Sequence, residues 1–413
     1  MIQKLIKQPS IPYCTMKNPP EPSGKQRIQS IDILRGVIML IMAIDHCRDF
    51  FHTGGPTGDP TDMATTTVVL FFTRWITHFC APTFVFLSGV SAYLAGTRRT
   101  PKQLSAFLIK RGLWLIAIEL VVITFAFTFD PLYHSFILQV IWAIGISMVV
   151  LGLLVRTPLT VIGIIGGLIF FGHDILDYMQ LPKTGGEYVL LRIFFTAKGT
   201  LIPLGTSHFI FDLYAVIPWT GVMLIGYVFG SLYKSSVGAA QRKRILLIAG
   251  CCFIGLFILL RLPNGYGDPA RWSVQRNWEH TLLSFLNVSK YPPSLLYLCM
   301  TLGPAIIVLA LTEKLQNKLA KIFTVYGNVP FFYYVLHFYL IHIITVILFF
   351  ASGHTTSQIV DPNSPFFFRP TNFGYSLGIV YLLWLFVIVV LYFPCRWYSK
   401  YKATHRQWWL SYL

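Results

Sequence analysis

The sequence has few charged residues and lacks the motifs of the common soluble enzyme classes. Only 12% of its 413 residues are charged, whereas soluble domains carry roughly a quarter. It contains no G-x-S-x-G, Walker, H-E-x-x-H or G-x-G-x-x-G motif. Its seven cysteines show no CxxC or other metal-ligand spacing. These absences give no support to a hydrolase, an ATPase, a dinucleotide enzyme or a metalloprotein, and we expect no metal or bound cofactor.

Long apolar runs are what the sequence does contain. Hydrophobic residues make up 55% of it and form continuous stretches, several of them long enough for the roughly 20 helical residues that cross a hydrocarbon core. A chain in lipid must satisfy its backbone internally, as helices or as a closed barrel, and continuous runs favour helices. We therefore predict an all-α, polytopic transmembrane bundle with about ten spans, near residues 30–51, 68–95, 112–129, 134–154, 158–175, 209–232, 245–261, 294–312, 328–350 and 373–395.

The basic residues are distributed unevenly among the loops of this bundle. The N-terminal arm and every second loop after it hold most of the 33 Lys and Arg residues. Cytoplasmic loops carry such an excess, which predicts that both termini are cytoplasmic. The formal net charge of +17 then reflects membrane orientation, and no nucleic-acid partner is expected. We divide the chain into a disordered cytoplasmic arm (1–27), a transmembrane domain (28–400) and a cytoplasmic tail (401–413).

The first predicted span carries more ionisable residues than a plain membrane anchor would. Such groups cost several kcal/mol inside a membrane and are functional candidates by default. Arg35 and His46 are eleven residues apart, which is three helical turns plus about 20°, so they share a face about 16 Å apart along the axis. Asp45 and Arg48 can pair at i,i+3, and Gly36 allows close approach of another helix. The alternative is a neutralised polar packing seam.

Two further predicted spans carry histidine in comparable settings. In the second, Arg74 and His78 are i,i+4 neighbours, and Pro82 follows four residues later and frees a backbone carbonyl. In the ninth, Tyr333 and His337 share a helical face. Histidine serves as a general base near neutral pH, and arginine binds carboxylate or phosphate through two parallel hydrogen bonds. A single intramembrane histidine is equally often a hydrogen-bonded packing residue.

Residues 30–51, 74–94 and 326–342 resemble a known family. Their sequences, SIDILRGVIMLIMAIDHCRDFF, RWITHFCAPTFVFLSGVSAYL and YGNVPFFYYVLHFYLIH, are similar to those of bacterial membrane proteins related to heparan-alpha-glucosaminide N-acetyltransferase. The resemblance extends over residues 27–400. That enzyme is a polytopic protein that moves acetyl from cytoplasmic acetyl-CoA to a terminal glucosamine across the membrane.

The spacing of Arg35 and His46 is also similar to that of the wider superfamily of membrane acyltransferases that O-acetylate surface glycans. In that superfamily the corresponding Arg and His are essential to the site. The sequence departs in one place from that of the lysosomal heparan-alpha-glucosaminide N-acetyltransferase. In that enzyme the first conserved helix continues into an Asn-Tyr-Gly stretch, and its histidine lies further along. Here the stretch from Asp45 reads DHCRDFFH, so the resemblance leaves the catalytic role open between His46 and His52.

The resemblance implies a membrane acyltransferase in a bacterial inner membrane. It would transfer an acyl group from acyl-CoA, with acetyl-CoA as co-substrate, to an amino-sugar or hydroxyl acceptor at or beyond the outer face. The predicted site has three groups: catalytic His46, Asp45, Asp49 and His337; donor-binding Arg35, Arg98, Arg99, Lys102 and Arg111; and acceptor-binding or supporting Asp32, Arg48, His52, Arg74, His78, Asn328 and Tyr333.

Two other functions use the same polar residues. In a transporter or flippase for a lipid or glycan precursor, the polar face of the first span that carries Arg35 and His46 would line a translocation path. In a haem protein, His46, His78 and His337 would be ligands, but paired histidines stacked across two helices are absent from the sequence. The bilayer, an acyl-CoA and a glycan acceptor are the expected partners. The sequence leaves open a homo-oligomer, the acceptor, the acyl length, and the choice between a ternary complex and an acyl-histidine.

The topology can be tested by cysteine labelling from each side of the membrane. We expect single cysteines introduced at Pro60, Asp130, Leu190, Gln275 and Val360 to react with an impermeant reagent added outside, because the charge distribution places those loops there. A cysteine at Lys243 serves as the cytoplasmic control. Labelling of most of the five positions only from the cytoplasmic side would contradict the predicted orientation.

Overall fold

A computed structural model describes residues 28–55, 57–179, 185–196, 200–405 and 407–411. The predicted arm 1–27 lies outside these residues, as do three residues of the predicted tail. Helices dominate the described chain and confirm the mostly helical prediction. Their bounds are α1 Gln29–Phe51, α2 Val68–Thr77, α3 Cys80–Gly96, α4 Pro101–Ile118, α5 Thr124–Thr128, α6 Val140–Leu154, α7 Leu159–Gly172, α8 Gly186–Leu191, α9 Val216–Gly230, α10 Ala239–Arg261, α11 Trp278–Leu286, α12 Leu295–Leu311, α13 Lys318–Asn328, α14 Pro330–Ala351 and α15 Leu377–Thr404.

Short helical turns of other types extend several of these helices. A π-helical turn, Glu119–Ile123, joins α4 to α5, and a second, Arg192–Thr196, follows α8. Turns of 3₁₀ type occupy His173–Tyr178, Ser231–Tyr233, Thr356–Gln358 and Trp408–Ser411.

Six helical segments in the described chain are long and apolar enough to cross a membrane. They are Val68–Gly96, Leu159–Leu176, Val216–Tyr233, Ala239–Arg261, Pro330–Ala351 and Leu377–Thr404. Helices α6 and α12 are apolar but shorter. Helix α1 is long enough but carries Asp and Arg side chains near both ends. The chain is therefore a multi-pass membrane protein, and each of the ten predicted spans overlaps a helix of the structure.

The prediction of an all-α chain was wrong at three strands. Strands β1 Ser135–Leu138, β2 Thr200–Leu204 and β3 His208–Asp212 form one sheet in the order β1-β3-β2, with β1 parallel and β2 antiparallel to β3. All of β1 and most of β3 lie within the predicted spans 134–154 and 209–232. Their sequences, SFIL and HFIFD, are apolar enough to extend a hydrophobic run, but their aromatic and branched residues also favour a strand. Pairing between the strands satisfies their backbone.

Helices α1 and α13 cross in direct backbone contact. A Cβ added to Gly36 would overlap the carbonyl oxygen of Phe323, and one added to Gly327 would overlap the carbonyl oxygen of Asp32. Arg35 also donates to the carbonyl oxygen of Gly327 at 3.3 Å. The close approach predicted at Gly36 is confirmed, and the glycine that meets it from the other side is Gly327. This contact fixes α1, which carries the candidate site.

The helical conformation is interrupted between α2 and α3, where a proline was predicted to free a backbone carbonyl. Pro82 has no N–H to donate to the carbonyl of His78, four residues earlier. That carbonyl instead accepts from the phenol of Tyr297 at 2.8 Å. The helix ends at Thr77 and resumes at Cys80. The interruption ties the segment to α12 and turns Arg74 and Cys80 toward the same cavity.

Replacement of Gly36 by alanine tests the contact between α1 and α13. We expect Gly36→Ala to destabilise the protein by about 1–3 kcal/mol, since overpacking forces backbone shifts of that cost. Gly167→Ala is the control, because Gly167 is also helical and a Cβ there would meet nothing within 4 Å. That variant should keep or slightly raise the thermal midpoint. Equal thermal midpoints in detergent for Gly36→Ala and the parent would contradict the close contact.

Candidate active site

A cavity of about 220 Å³ lies beside the end of α1 that carries His46. We call it the charged cavity. Its lining comes from most of the bundle: Met42, Asp45, His46, Arg48 and Asp49 of α1; Arg74 and Thr77 of α2; Cys80, Ala81 and Phe84 of α3; Phe127 of α5; and Gln139, Val140, Leu213, Tyr214, Lys290, Tyr291 and Tyr334. The residues that precede α6 and α9 contribute because the parallel strands β1 and β3 lead into those helices at the cavity.

Charged side chains in this cavity form a chain of ion pairs. Asp45 binds Arg48 at 3.2 Å through one oxygen and Arg74 of α2 through the other. Arg48 also binds Asp49 at 2.5 Å. The predicted i,i+3 pairing of Asp45 with Arg48 is confirmed. Two carboxylates and two guanidiniums therefore neutralise one another, and the network joins α1 to α2.

His46 lines the charged cavity between aromatic rings. Its ring lies 4.4 Å from that of Phe338 and 5.2 Å from that of His337, measured between centroids. Its Nδ1 is buried and has no hydrogen-bond partner among the described residues. Asp45 and Asp49, two of the predicted catalytic residues, are bound to arginines. The imidazole is thus held by packing and left open for a ligand.

His337 lies directly behind His46 and is fully buried. Its Nδ1 is 2.5 Å from the carbonyl oxygen of Tyr334 and 3.3 Å from that of Tyr333. A carbonyl can only accept, so Nδ1 carries the proton and Nε2 of the neutral ring is an acceptor. This Nε2 is also buried without a partner in the described chain. The structure therefore brings together two candidate histidines, each with an unused ring nitrogen.

A second cavity, of about 100 Å³, lies beside the end of α1 that carries Arg35. We call it the arginine cavity because Arg35 and Arg111 line it, together with Met39, Ser88 and apolar residues of α4, α6 and α14. Arg35 donates to Ser91 at 2.9 Å and to Asp32 at 3.2 Å. Of the five predicted donor-binding residues, the structure brings these two arginines together. Arg98, Arg99 and Lys102 are exposed around the start of α4.

The remaining predicted residues lie away from both cavities. The imidazole of His52 accepts a hydrogen bond from the backbone N–H of Gly54 at 3.3 Å. The backbone carbonyl of His52 accepts one from Arg369. His78 packs edge-on against Tyr297 with ring centroids 5.5 Å apart. Asn328 donates to Ser399 at 3.1 Å and ends α13. Tyr333 stacks on His337 with ring centroids 5.5 Å apart and lines neither cavity.

Several residues of the charged cavity had not been predicted. Lys290 and Tyr291 come from the segment that leads into α12. Burial alone would raise the pKa of the Tyr291 phenol, but Lys290 and Arg74 outweigh it and lower the pKa below its ordinary value. Gln139, Tyr214 and Tyr334 also line the cavity. They carry no motif, so only their tertiary positions identify them.

The two cavities share part of their walls. Phe84, Val140 and Tyr334 line both. Arg35 and His46, on one face of α1, therefore lie in adjoining cavities. In the described part of the chain, no group of three or more His, Cys, Asp or Glu side chains is arranged to hold a metal ion. The arrangement suits two reactants that approach a shared wall from opposite sides.

Comparison with known proteins finds a family that matches more than half of the chain. Residues 27–261 match the family described as "Heparan-alpha-glucosaminide N-acetyltransferase, catalytic". The match runs from the start of α1 to the end of α10, so it includes the ion-pair network, His46 and Arg35. Lys290, Tyr334 and His337 lie beyond it. No curated protein matches the chain.

The ion-pair network predicts a large penalty for removing Arg74. We expect Arg74→Met to destabilise the protein by about 3 kcal/mol, the lower end for breaking a buried pair, because Arg48 still faces Asp45. Lys243→Met is the control, since Lys243 is exposed on α10. Adding Asp45→Asn to Arg74→Met should cost less than the sum of the two single changes. Additive losses of stability, measured by unfolding in detergent, would contradict the pairing.

Proposed function

The chain belongs to the heparan-alpha-glucosaminide N-acetyltransferase catalytic family, and on that premise we propose that it moves an acetyl or similar acyl group from acyl-CoA to an amino-sugar or hydroxyl acceptor. One observation carries the proposal. His46, with an unpartnered buried nitrogen, and Arg35 lie in two cavities that adjoin at a common wall. A transfer between reactants on opposite sides of a membrane needs such an arrangement.

The arginine cavity is the proposed donor side. Guanidinium groups bind phosphate through paired hydrogen bonds, and acyl-CoA carries several phosphate charges. A cavity of about 100 Å³ accommodates only the acyl end of such a molecule. Its nucleotide would therefore lie outside, toward the exposed basic residues Arg98, Arg99 and Lys102. Arg35 and Arg111 would hold polar atoms of the donor nearer to the thioester.

The charged cavity is the proposed acceptor side. There His46 removes a proton from the acceptor amine or hydroxyl while its nitrogen or oxygen attacks the thioester carbon. The carbon–sulfur bond then breaks, and the CoA thiolate takes the proton from the His46 imidazolium. The products are the acylated acceptor and free CoA. His337, whose Nδ1 is fixed by backbone carbonyls, packs against the His46 ring and keeps it in place. Attack by His46 itself, through an acyl-histidine, uses the same residues.

The orientation in the membrane is part of the proposal. Ten spans with both termini in the cytoplasm put the arginine cavity nearer the cytoplasm, where acyl-CoA is made, and the charged cavity nearer the outer face. The positive-inside distribution of Lys and Arg supports this orientation. The membrane would be a bacterial inner membrane, and an amino sugar or a glycan hydroxyl would be the acceptor.

The proposal is tested by comparing His46→Ala with His52→Ala. We expect His46→Ala to lower the rate of CoA release in the presence of glucosamine or a glycan acceptor by about 10²–10⁴-fold, the usual contribution of a general base. His52→Ala should keep most of the rate, since its side chain lies off both cavities. The affinity for acyl-CoA and the thermal midpoint should be unchanged in both variants.

His405→Ala, at the exposed end of α15, is the control for histidine removal. Unchanged turnover in His46→Ala with a lowered thermal midpoint would identify a packing seam. Loss of turnover in His52→Ala alone would move the catalytic role to His52. A wild-type protein that consumes no thioester with any acceptor would favour the transporter function.

A further inference from the structure

Tyr334 has an unusual position, because its side chain lines both cavities. It lies in the first turns of α14 and is 2% exposed. Its phenol oxygen is buried and has no hydrogen-bond partner among the described residues. Buried polar groups are nearly always hydrogen-bonded, since an unmade bond destabilises the folded protein. A residue that lines two cavities and carries a buried phenol without a partner is therefore a candidate for binding a ligand.

The surroundings restrict what that ligand can be. Phe84 and Val140, the other two residues common to both cavities, are apolar and offer no side-chain hydrogen bond. Among the described residues of the shared wall, the phenol is thus the one polar side chain. A phenol can donate one hydrogen bond. The group that reaches this point from the arginine cavity should accordingly be small and mostly apolar, with one acceptor oxygen.

An acyl thioester has those features at its reactive end. The inference rests on the proposed function: we propose that Tyr334 is a catalytic residue whose phenol donates a hydrogen bond to the carbonyl oxygen of the acyl-CoA thioester. When the acceptor attacks, the carbonyl π electrons move onto that oxygen, and the hydrogen bond strengthens as negative charge develops. When the C–S bond breaks, the charge returns and the carbonyl reforms. No proton leaves Tyr334 in either step.

The backbone of the same residue also fixes His337. The carbonyl of Tyr334 accepts from Nδ1 of His337, and His337 packs against His46. One residue therefore positions the electrophile through its side chain and the histidine pair through its main chain. Donors held in place before the reaction need no reorganisation during it. The thioester and the ring that packs against His46 are in this way both held by the first two turns of α14.

The neighbouring Tyr333 shows that a phenol without a partner does not by itself indicate a ligand-binding role. Its hydroxyl is also buried without a partner in the described chain, but its side chain lines neither cavity. The predicted acceptor-binding role of Tyr333 came from its i,i+4 spacing to His337. The position on the shared wall assigns the polar contact to Tyr334 instead.

The experiment measures the binding of two CoA derivatives to purified protein by calorimetry. Acetyl-CoA has the thioester carbonyl, and S-ethyl-CoA is a thioether of similar size without it. We expect the wild type to bind acetyl-CoA roughly three- to tenfold more tightly, the value of one net hydrogen bond. Tyr334→Phe should bind both equally, with the affinity for S-ethyl-CoA unchanged. Its turnover should fall about 10²–10³-fold, as for the loss of one oxyanion donor.

Tyr398→Phe is the matched control. The Tyr398 hydroxyl is also buried without a partner in the described chain, and Tyr398 lines neither cavity. This variant should keep the wild-type preference for acetyl-CoA and the wild-type turnover. Both variants should keep the thermal midpoint, because each loses a hydroxyl that has no partner in the folded protein.

The outcomes separate this inference from the proposed function. A wild type that binds neither derivative would overturn both. A wild type without preference, or a preference that survives in Tyr334→Phe together with normal turnover, would overturn the role of Tyr334 and leave the acyltransferase proposal standing. A Tyr334→Phe protein that fails to fold would show that the phenol has a structural partner, which also overturns its role.

Discussion

Neutralisation of the charges on α1 determines how the rest of the site is arranged. An uncompensated charge inside an apolar bundle costs several kcal/mol, so each ionised side chain of α1 must meet a partner. Asp45 meets Arg48 within the helix and Arg74 from α2, and Asp32 meets Arg35. The bond between Asp45 and Arg74 joins α1 to α2 and so restricts the rotation of α1 about its axis. His46 takes no part in them, and its ring is consequently directed toward the histidine and phenylalanine of α14.

The features that depend on local spacing could be predicted from the sequence. The helical segments, the contact at Gly36, the pairing of Asp45 with Arg48 and the carbonyl freed by Pro82 all follow from residues within one or two turns. Features that depend on how the helices pack against one another could not be predicted from the sequence. Tyr333 shares a helical face with His337, but the rotation of α14 presents Tyr334 to the cavities. Lys290 reaches the site from a loop whose path no local pattern specifies. Strands β1 and β3 were missed because a short apolar strand and the end of an apolar span have the same composition.

The family match and the site do not cover the same part of the chain. The match ends with α10, yet His337 and Tyr334 come from α14, and α13 holds α1 in place. The residues of the ion-pair network and those that face His46 are therefore supplied by two separate stretches of sequence. A cavity that needs both stretches forms only when the last helices have packed against the first. Correct assembly of the whole bundle is thus a condition for the proposed chemistry.

The glycine crossing of α1 and α13 also limits how the protein can move. Backbone touches backbone at two points, Gly36 against Phe323 and Asp32 against Gly327, and no side chain lies between them to change rotamer. Sliding or rolling one helix over the other would create steric overlap at once, because packed contacts resist continuous deformation. The two helices must then move as one body in any conformational cycle. Any opening of the bundle would have to occur elsewhere, while Arg35 of α1 stays in contact with Gly327 of α13.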